Sequence, residues 1–180
     1  MTPSVPPLDW TADLFQTDGS VDWPAARDWI TNAHVALQQA HGERWTDAHA
    51  AWLGRLAHDA LRYQGEGLTE ATEDSLSDLL FSLQVAQRTT VPAPVEACIP
   101  ALRQLFEFGA THLGQLGARA ALGVLDNTVE HAFVEAMAAP PDPTPEPEDP
   151  PKAPQSRAER RAAGFSRGPQ TRVRRKKKVR

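Results

Sequence analysis

The sequence predicts an all-α protein: an antiparallel bundle of about five helices over residues 1–139, followed by a disordered Pro-rich linker (140–154) and a disordered basic tail (155–180). Three observations carry this reading. Ala, Leu and Gln dominate the first 139 residues, and the period-two alternation of β-branched residues that marks strands is missing. Apolar side chains recur there at spacings of three and four, between glycines and prolines that end each run. At residue 140 the composition breaks: PPDPTPEPEDPPKAP places eight prolines in fifteen positions. Proline lacks the backbone donor and fixes φ, so that segment cannot continue a helix.

The first helix is expected near Pro24, with Asp22 close to the cap and Ala26, Trp29, Ile30, Ala33 and Leu37 on one face. Gly42 ends it. The second is expected over 43–63, with Trp45, Ala48, Trp52, Leu53, Leu56 and Ala60 inward and Gly65 as its stop. Thr69 is the expected cap of the third, where Glu70, Glu73 and Asp74 suit the positive helix start. Leu76, Leu79, Leu80 and Leu83 form its apolar face, and Arg88 sits at its favourable end. Pro92 and Pro94 break the chain, and Pro100 opens or kinks a fourth helix whose inward set is Ile99, Leu102, Leu105, Phe106, Leu113 and Leu116. Asn127 with Glu130 has capping-box spacing for the last helix, which turns Val129, Phe133, Ala136 and Met137 inward before Pro140. Before the first helix, Trp10 and Phe15 are expected to staple a short acidic segment over the bundle, with an interface patch for a dimer or partner helix as the alternative.

A chain of 180 residues has room for one domain and a tail. The single Cys98 excludes an internal disulfide and a multi-cysteine metal site. Residues 1–9 carry no basic residue and no apolar run, which speaks against a secretory or transit signal. No stretch approaches the roughly 20 apolar residues of a membrane span. A cytoplasmic location and no membrane partner are the expectations.

The net charge of −4 conceals a segregation of sign. Residues 1–139 hold 7 Arg and no Lys against 18 Asp and Glu, a balance of −11, whereas residues 155–180 hold 11 Arg and Lys against one Glu, a balance of +10. Between them, the linker is expected to act as a polyproline-II spacer of about 45 Å, at roughly 3.1 Å per residue. The tail has only Phe165, Val173 and Val179 as sizeable apolar side chains, too few to offset the entropy of ordering it. Closely spaced cations on a flexible chain can follow a phosphate backbone and release its counterions. The expected nucleic-acid-binding residues are Arg157, Arg160, Arg161, Arg167, Arg172, Arg174, Arg175, Lys176, Lys177, Lys178 and Arg180. Ser156 and Glu159 have capping-box spacing, so a short helix ending at Gly164 is expected to form on a partner. Phe165 is the tail's one base-stacking side chain, so sequence-specific reading of single strands is not indicated. An acidic protein, or the acidic bundle itself, is the competing partner, and homo-oligomerisation of the bundle stays open.

The folded part offers little catalytic pattern. It has no Gly-x-Ser-x-Gly elbow, no Walker-type loop and no lysine. Cys98, between Ala97 and Ile99, reads as a buried structural thiol. Six histidines, His34, His41, His49, His58, His112 and His131, lack the Glu-x-x-His and His-Glu-x-x-His spacings, so they read as hydrogen-bonded bundle residues, with no metal or cofactor expected. His58 and Asp59 adjoin, but neighbours on a helix do not face each other. The four glycines Gly109, Gly114, Gly117 and Gly123 read as marks of close helix packing.

Residues 44–49, RWTDAH, resemble the Arg-x4-His motif of HEPN ribonucleases, which are also helical bundles. The likeness covers those six residues, and Trp45 stands where that family usually has a polar residue. The resemblance implies that Arg44 polarises a phosphate and His49 transfers protons. The reading that emerges is a non-enzymatic helical interaction protein that binds DNA or RNA largely non-specifically through its arm. An assembly or chaperone-like adaptor is the first alternative, and a bundle metal hydrolase or HEPN-like ribonuclease the second.

Overall fold

The computed structural model describes residues 8–140; the basic arm and all of the linker beyond Pro140 lie outside the described residues. Residues 8–140 form a helical bundle of six α-helices joined by short connectors. They are α1 (Trp23–His41), α2 (Asp47–Asp59), α3 (Glu73–Ser77), α4 (Cys98–His112), α5 (Leu116–Val124) and α6 (Asn127–Ala138). Extended pairing among the described residues is confined to one antiparallel bridge, Phe15 to Val21. None of the helices is long and apolar enough to cross a membrane.

The start of α1 follows the sequence closely. The Asp22 carboxylate accepts the Ala25 N–H at 3.1 Å, and Pro24 occupies the first turn, where its missing donor is not needed. Gly42 closes the helix at φ 58°. The second helix begins later than expected. Residues Gly42–Arg44 form a 3₁₀ turn, and α2 starts after Thr46, an extended residue whose backbone N–H donates to His49 Nδ1 at 3.0 Å. After Asp59 the helix widens into a π turn, Ala60–Gln64, and stops at the left-handed Gly65. The helix of α3 is capped by Thr72, whose hydroxyl accepts from Ser75 N, and it too widens into π geometry over Asp78–Gln84. Thr69, the expected cap, instead donates its hydroxyl to the Trp10 carbonyl at 2.9 Å.

The long fourth helix divides in two. Gly114 takes φ 67°, a left-handed turn that ends α4 and redirects the chain into α5. The phase of the apolar stripe therefore resets: Leu113 is half-buried, and Leu116, expected inward, is 77% exposed. The last helix is capped by Asp126, whose carboxylate accepts from Thr128 N and Val129 N, each at 2.9 Å. Asn127 is its first helical residue, and Glu130 accepts a hydrogen bond from Arg103 Nη1 at 2.5 Å rather than closing a capping box.

The core joins all of these elements. Trp45, Trp52, Phe106 and Phe133 are its largest fully buried side chains, accompanied by Leu37, Leu53, Leu56, Leu79 and Ile99. Each such side chain contributes roughly 1.5–3 kcal/mol on burial. Phe133 of α6 meets the edges of Trp52 and Phe81. The Trp52 indole N–H donates to the Pro94 carbonyl at 2.8 Å, so the ring is buried without an orphaned donor. Of the four late glycines only Gly109 has a packing role. A Cβ placed there would lie 2.3 Å from the Trp10 ring, whereas one on Gly117 or Gly123 would meet nothing within 4 Å. The N-terminal segment does staple the bundle: Leu8, Trp10 and Leu14 are buried, Phe15 packs half-buried beside them, and Trp10 meets Phe106 edge-on at 6.2 Å.

Candidate functional site

The eleven expected nucleic-acid-binding residues, from Arg157 to Arg180, lie outside the described residues, so the chemistry of the bundle is built from its own side chains. Four of its seven arginines are committed within it. Arg55 pairs with Asp59 and bonds Gln87, and Arg103 pairs with Glu130 and donates to the Leu125 carbonyl. Arg88 donates to the Val85 carbonyl at 3.0 Å, and Arg44 donates to His41 Nδ1 at 3.3 Å. Arg27, Arg62 and Arg119 are exposed.

The histidines divide by task. His34 Nδ1 accepts the Trp45 indole N–H at 2.9 Å. His41 donates from Nε2 to the Gln104 carbonyl at 3.0 Å, and burial is the main reason its pKa falls below the usual imidazole value. His49 accepts the Thr46 N–H and stacks on Trp45 at 5.6 Å; burial lowers its pKa as well. Arg44 and His49, the pair that resembles the HEPN motif, are thus engaged with different partners, His41 and Thr46. His112 packs on Phe108, and His131 is exposed on α6. Among the described residues no group of three or more His, Cys, Asp or Glu side chains is placed to hold a metal ion. Cys98 is fully buried, and burial pushes its thiol far above the usual range, so it stays protonated.

His58 differs from the other five. Its ring stacks beneath Trp23, with centroids 4.8 Å apart and planes inclined by 27°. Its Nδ1 lies 3.1 Å from Asp59 Oδ1. The expectation that these chain neighbours would not meet is therefore corrected, and the reason is the division of labour on the carboxylate. Asp59 is buried, and its Oδ2 accepts from Arg55 Nε at 2.5 Å and Gln84 Nε2 at 2.9 Å. That leaves Oδ1 for the imidazole. A carboxylate acceptor at Nδ1 assigns the proton to that nitrogen and leaves Nε2 as the uncommitted one. The two π segments flank this network: Asp59 immediately precedes the first, and Gln84 ends the second.

Trp23, Ala26, Arg27, Ile30, Thr31, Gly54 and His58 line a cleft of about 390 Å³ between α1 and α2. The volume falls in the range of small-molecule sites. Trp23 is 39% exposed, Arg27 follows it by one helical turn, and Arg27 makes no ion pair among the described residues. The cleft therefore presents an aromatic face, a cation, and a histidine fixed from behind by a buried carboxylate. Sequence periodicity missed it because Trp23 and Arg27 run beside the main apolar stripe of α1, of which Ile30 is the edge. The usable signal was the Trp23, Arg27 spacing of four at the start of a helix. In comparisons with known proteins, the chain matches no protein-family model, no curated protein and no solved structure.

Proposed function

We propose that this chain is a non-enzymatic interaction protein that binds nucleic acid, DNA or RNA, largely without sequence preference, through the basic arm 155–180. The observation that carries the reading is the segregation of charge: +10 in the arm against −11 in residues 1–139. The ion pairs of Arg55 with Asp59 and of Arg103 with Glu130 add support, because cations already paired contribute little to a phosphate-binding surface. The bundle's negative balance opposes phosphate, so the contact falls to the arm. The bundle supplies protein contacts or oligomerisation. Its single, buried cysteine suits a reducing compartment, and a cytoplasmic location goes with this reading.

Deleting 155–180 should abolish binding to a generic DNA or RNA duplex while helical circular dichroism and melting stay unchanged. Affinity of the full chain should fall steeply with added salt, as counterion release requires. A truncated chain that binds as well as the full one defeats the proposal. Partners that survive nuclease treatment in a pull-down would instead favour the adaptor reading, in which the arm meets an acidic protein.

A further inference from the structure

We infer that the Trp23 cleft is a second ligand site, independent of the arm, which takes one nucleotide unit: the base against the exposed indole and the phosphate against Arg27. The features of the cleft are complementary to such a ligand. Trp23 is stacked on His58 yet remains 39% exposed, an unusual state for the largest side chain in a domain that buries Trp45 and Trp52 completely. An indole accessible in a cleft is a stacking platform for any base, because every base has a π face. Arg27 brings a positive charge that no acidic partner among the described residues neutralises, and it stands one turn from the platform. Such a guanidinium suits a phosphate. His58 is held through Nδ1 by Asp59, so its ring is oriented before a ligand arrives and Nε2 is available to a polar group of the nucleotide. Ala26, Ile30 and Gly54 give the cleft an apolar floor.

The shared chemistry is a planar ring carrying an anion. The choice of a nucleotide as occupant rests on the nucleic-acid reading above.

The test uses the full chain with AMP as the probe, ribose 5-phosphate as the base-free control, and a short DNA duplex to report on the arm. AMP should bind with the same affinity to the full chain and to the chain lacking 155–180, and ribose 5-phosphate should bind at least ~10-fold more weakly because the stacking contribution is gone. Trp23→Leu and Arg27→Gln should each weaken AMP by ~10-fold or more, with duplex binding and melting unchanged. Gly54→Leu should fill the cleft and abolish AMP binding. Its Cβ would meet only Ile30 Cγ2, at an ordinary 3.8 Å, and an unchanged melting temperature checks that the longer side chain is accommodated. Absence of AMP binding to the full chain, or AMP binding that all three variants leave intact, overturns the inference. Failure of the arm reading would show differently, as duplex binding retained by the truncated chain, and would leave the AMP result standing.

Discussion

At each end of α2 a tryptophan lies against a histidine, and the two pairs have opposite surroundings. At the N-terminal end Trp45 is 2% exposed, its indole N–H is taken by His34, and its ring is stacked by His49. At the C-terminal end Trp23 is 39% exposed and stacks on His58, which a buried carboxylate orients. The first pair closes the α1 to α2 turn, with the indole N–H and His49 Nδ1 both engaged inside the fold. The second leaves an aromatic face and a ring nitrogen uncommitted at the rim of a cleft. The same two residue types thus serve structure at one end and remain available for a ligand at the other. The deciding variable is what covers the ring.

The contrast breaks most clearly under truncation. Trp45→Ala should cost about 3–5 kcal/mol in denaturant unfolding, the range for a large aromatic removed from a core. Trp23→Ala should cost no more than about 1 kcal/mol, since a surface ring loses little burial. Equal losses would mean that Trp23 is a core residue and the cleft has no vacant face. Asp59→Ala comes next, at about 2–3 kcal/mol, because it leaves Arg55 and Gln84 without their acceptor; the figure is discounted for the partial exposure of Arg55, whose side chain is 21% accessible. In the same variant His58 should lose its fixed tautomer, visible in its ring-nitrogen NMR shifts. An unchanged tautomer would dismiss Asp59 as the orienting group.

A smaller effect of opposite sign is expected at Gly54, in mid-helix on the cleft side of α2. Its replacement by Ala should stabilise the fold by about 0.5–1 kcal/mol, as the helix gains and the added methyl meets only Ile30 at an ordinary contact distance. A drop in Tm would show that the cleft wall is closer-packed than described.

The last effect is confined to acid. Burial lowers the pKa of both His49 and His41, so the fold favours neutral rings while the unfolded chain takes up protons nearer the ordinary value of 6.5. The unfolded state therefore binds more protons in that window. Stability contributed by these groups is complete above about pH 6.5 and is lost as pH falls from there through the lowered folded values. Urea unfolding across that range should show a shallower pH slope for His49→Asn, whose side-chain oxygen can still accept the Thr46 N–H. Identical slopes in wild type and variant would remove His49 from the account.

Much of the bundle was legible because its signals are local. Asp22, Pro24 and Gly42 bound α1 as helix termini ordinarily do, and Gly65 ends the second helix through its left-handed φ of 71°. Periodicity failed where a turn reset the phase: Gly114 cuts the fourth helix, and Leu116 leaves the core with it. It also failed where two residues competed for one task. Asp126, short and extended, reaches two helix-start donors, while Glu130 finds Arg103, a partner 27 residues away. The candidate site was the least legible part. His58 and Asp59 meet because Arg55 and Gln84 occupy one side of the carboxylate, and Gln84 is 25 residues distant in sequence. The two π segments that frame the network have no signature in the apolar spacing.

The N-terminal segment carries a consequence for the order in which the domain is made. The Trp29 indole donates to the Asp9 carbonyl at 2.9 Å, the Thr69 hydroxyl donates to the Trp10 carbonyl, and the Trp10 ring lies over Gly109 and against Phe106. During synthesis the earliest of these partners emerges 20 residues later and the last about a hundred residues later. The opening segment of the domain must therefore wait, its apolar rings uncovered, until α4 has left the ribosome. Once docked, it ties α1, the Leu68–Glu70 turn and α4 to one another.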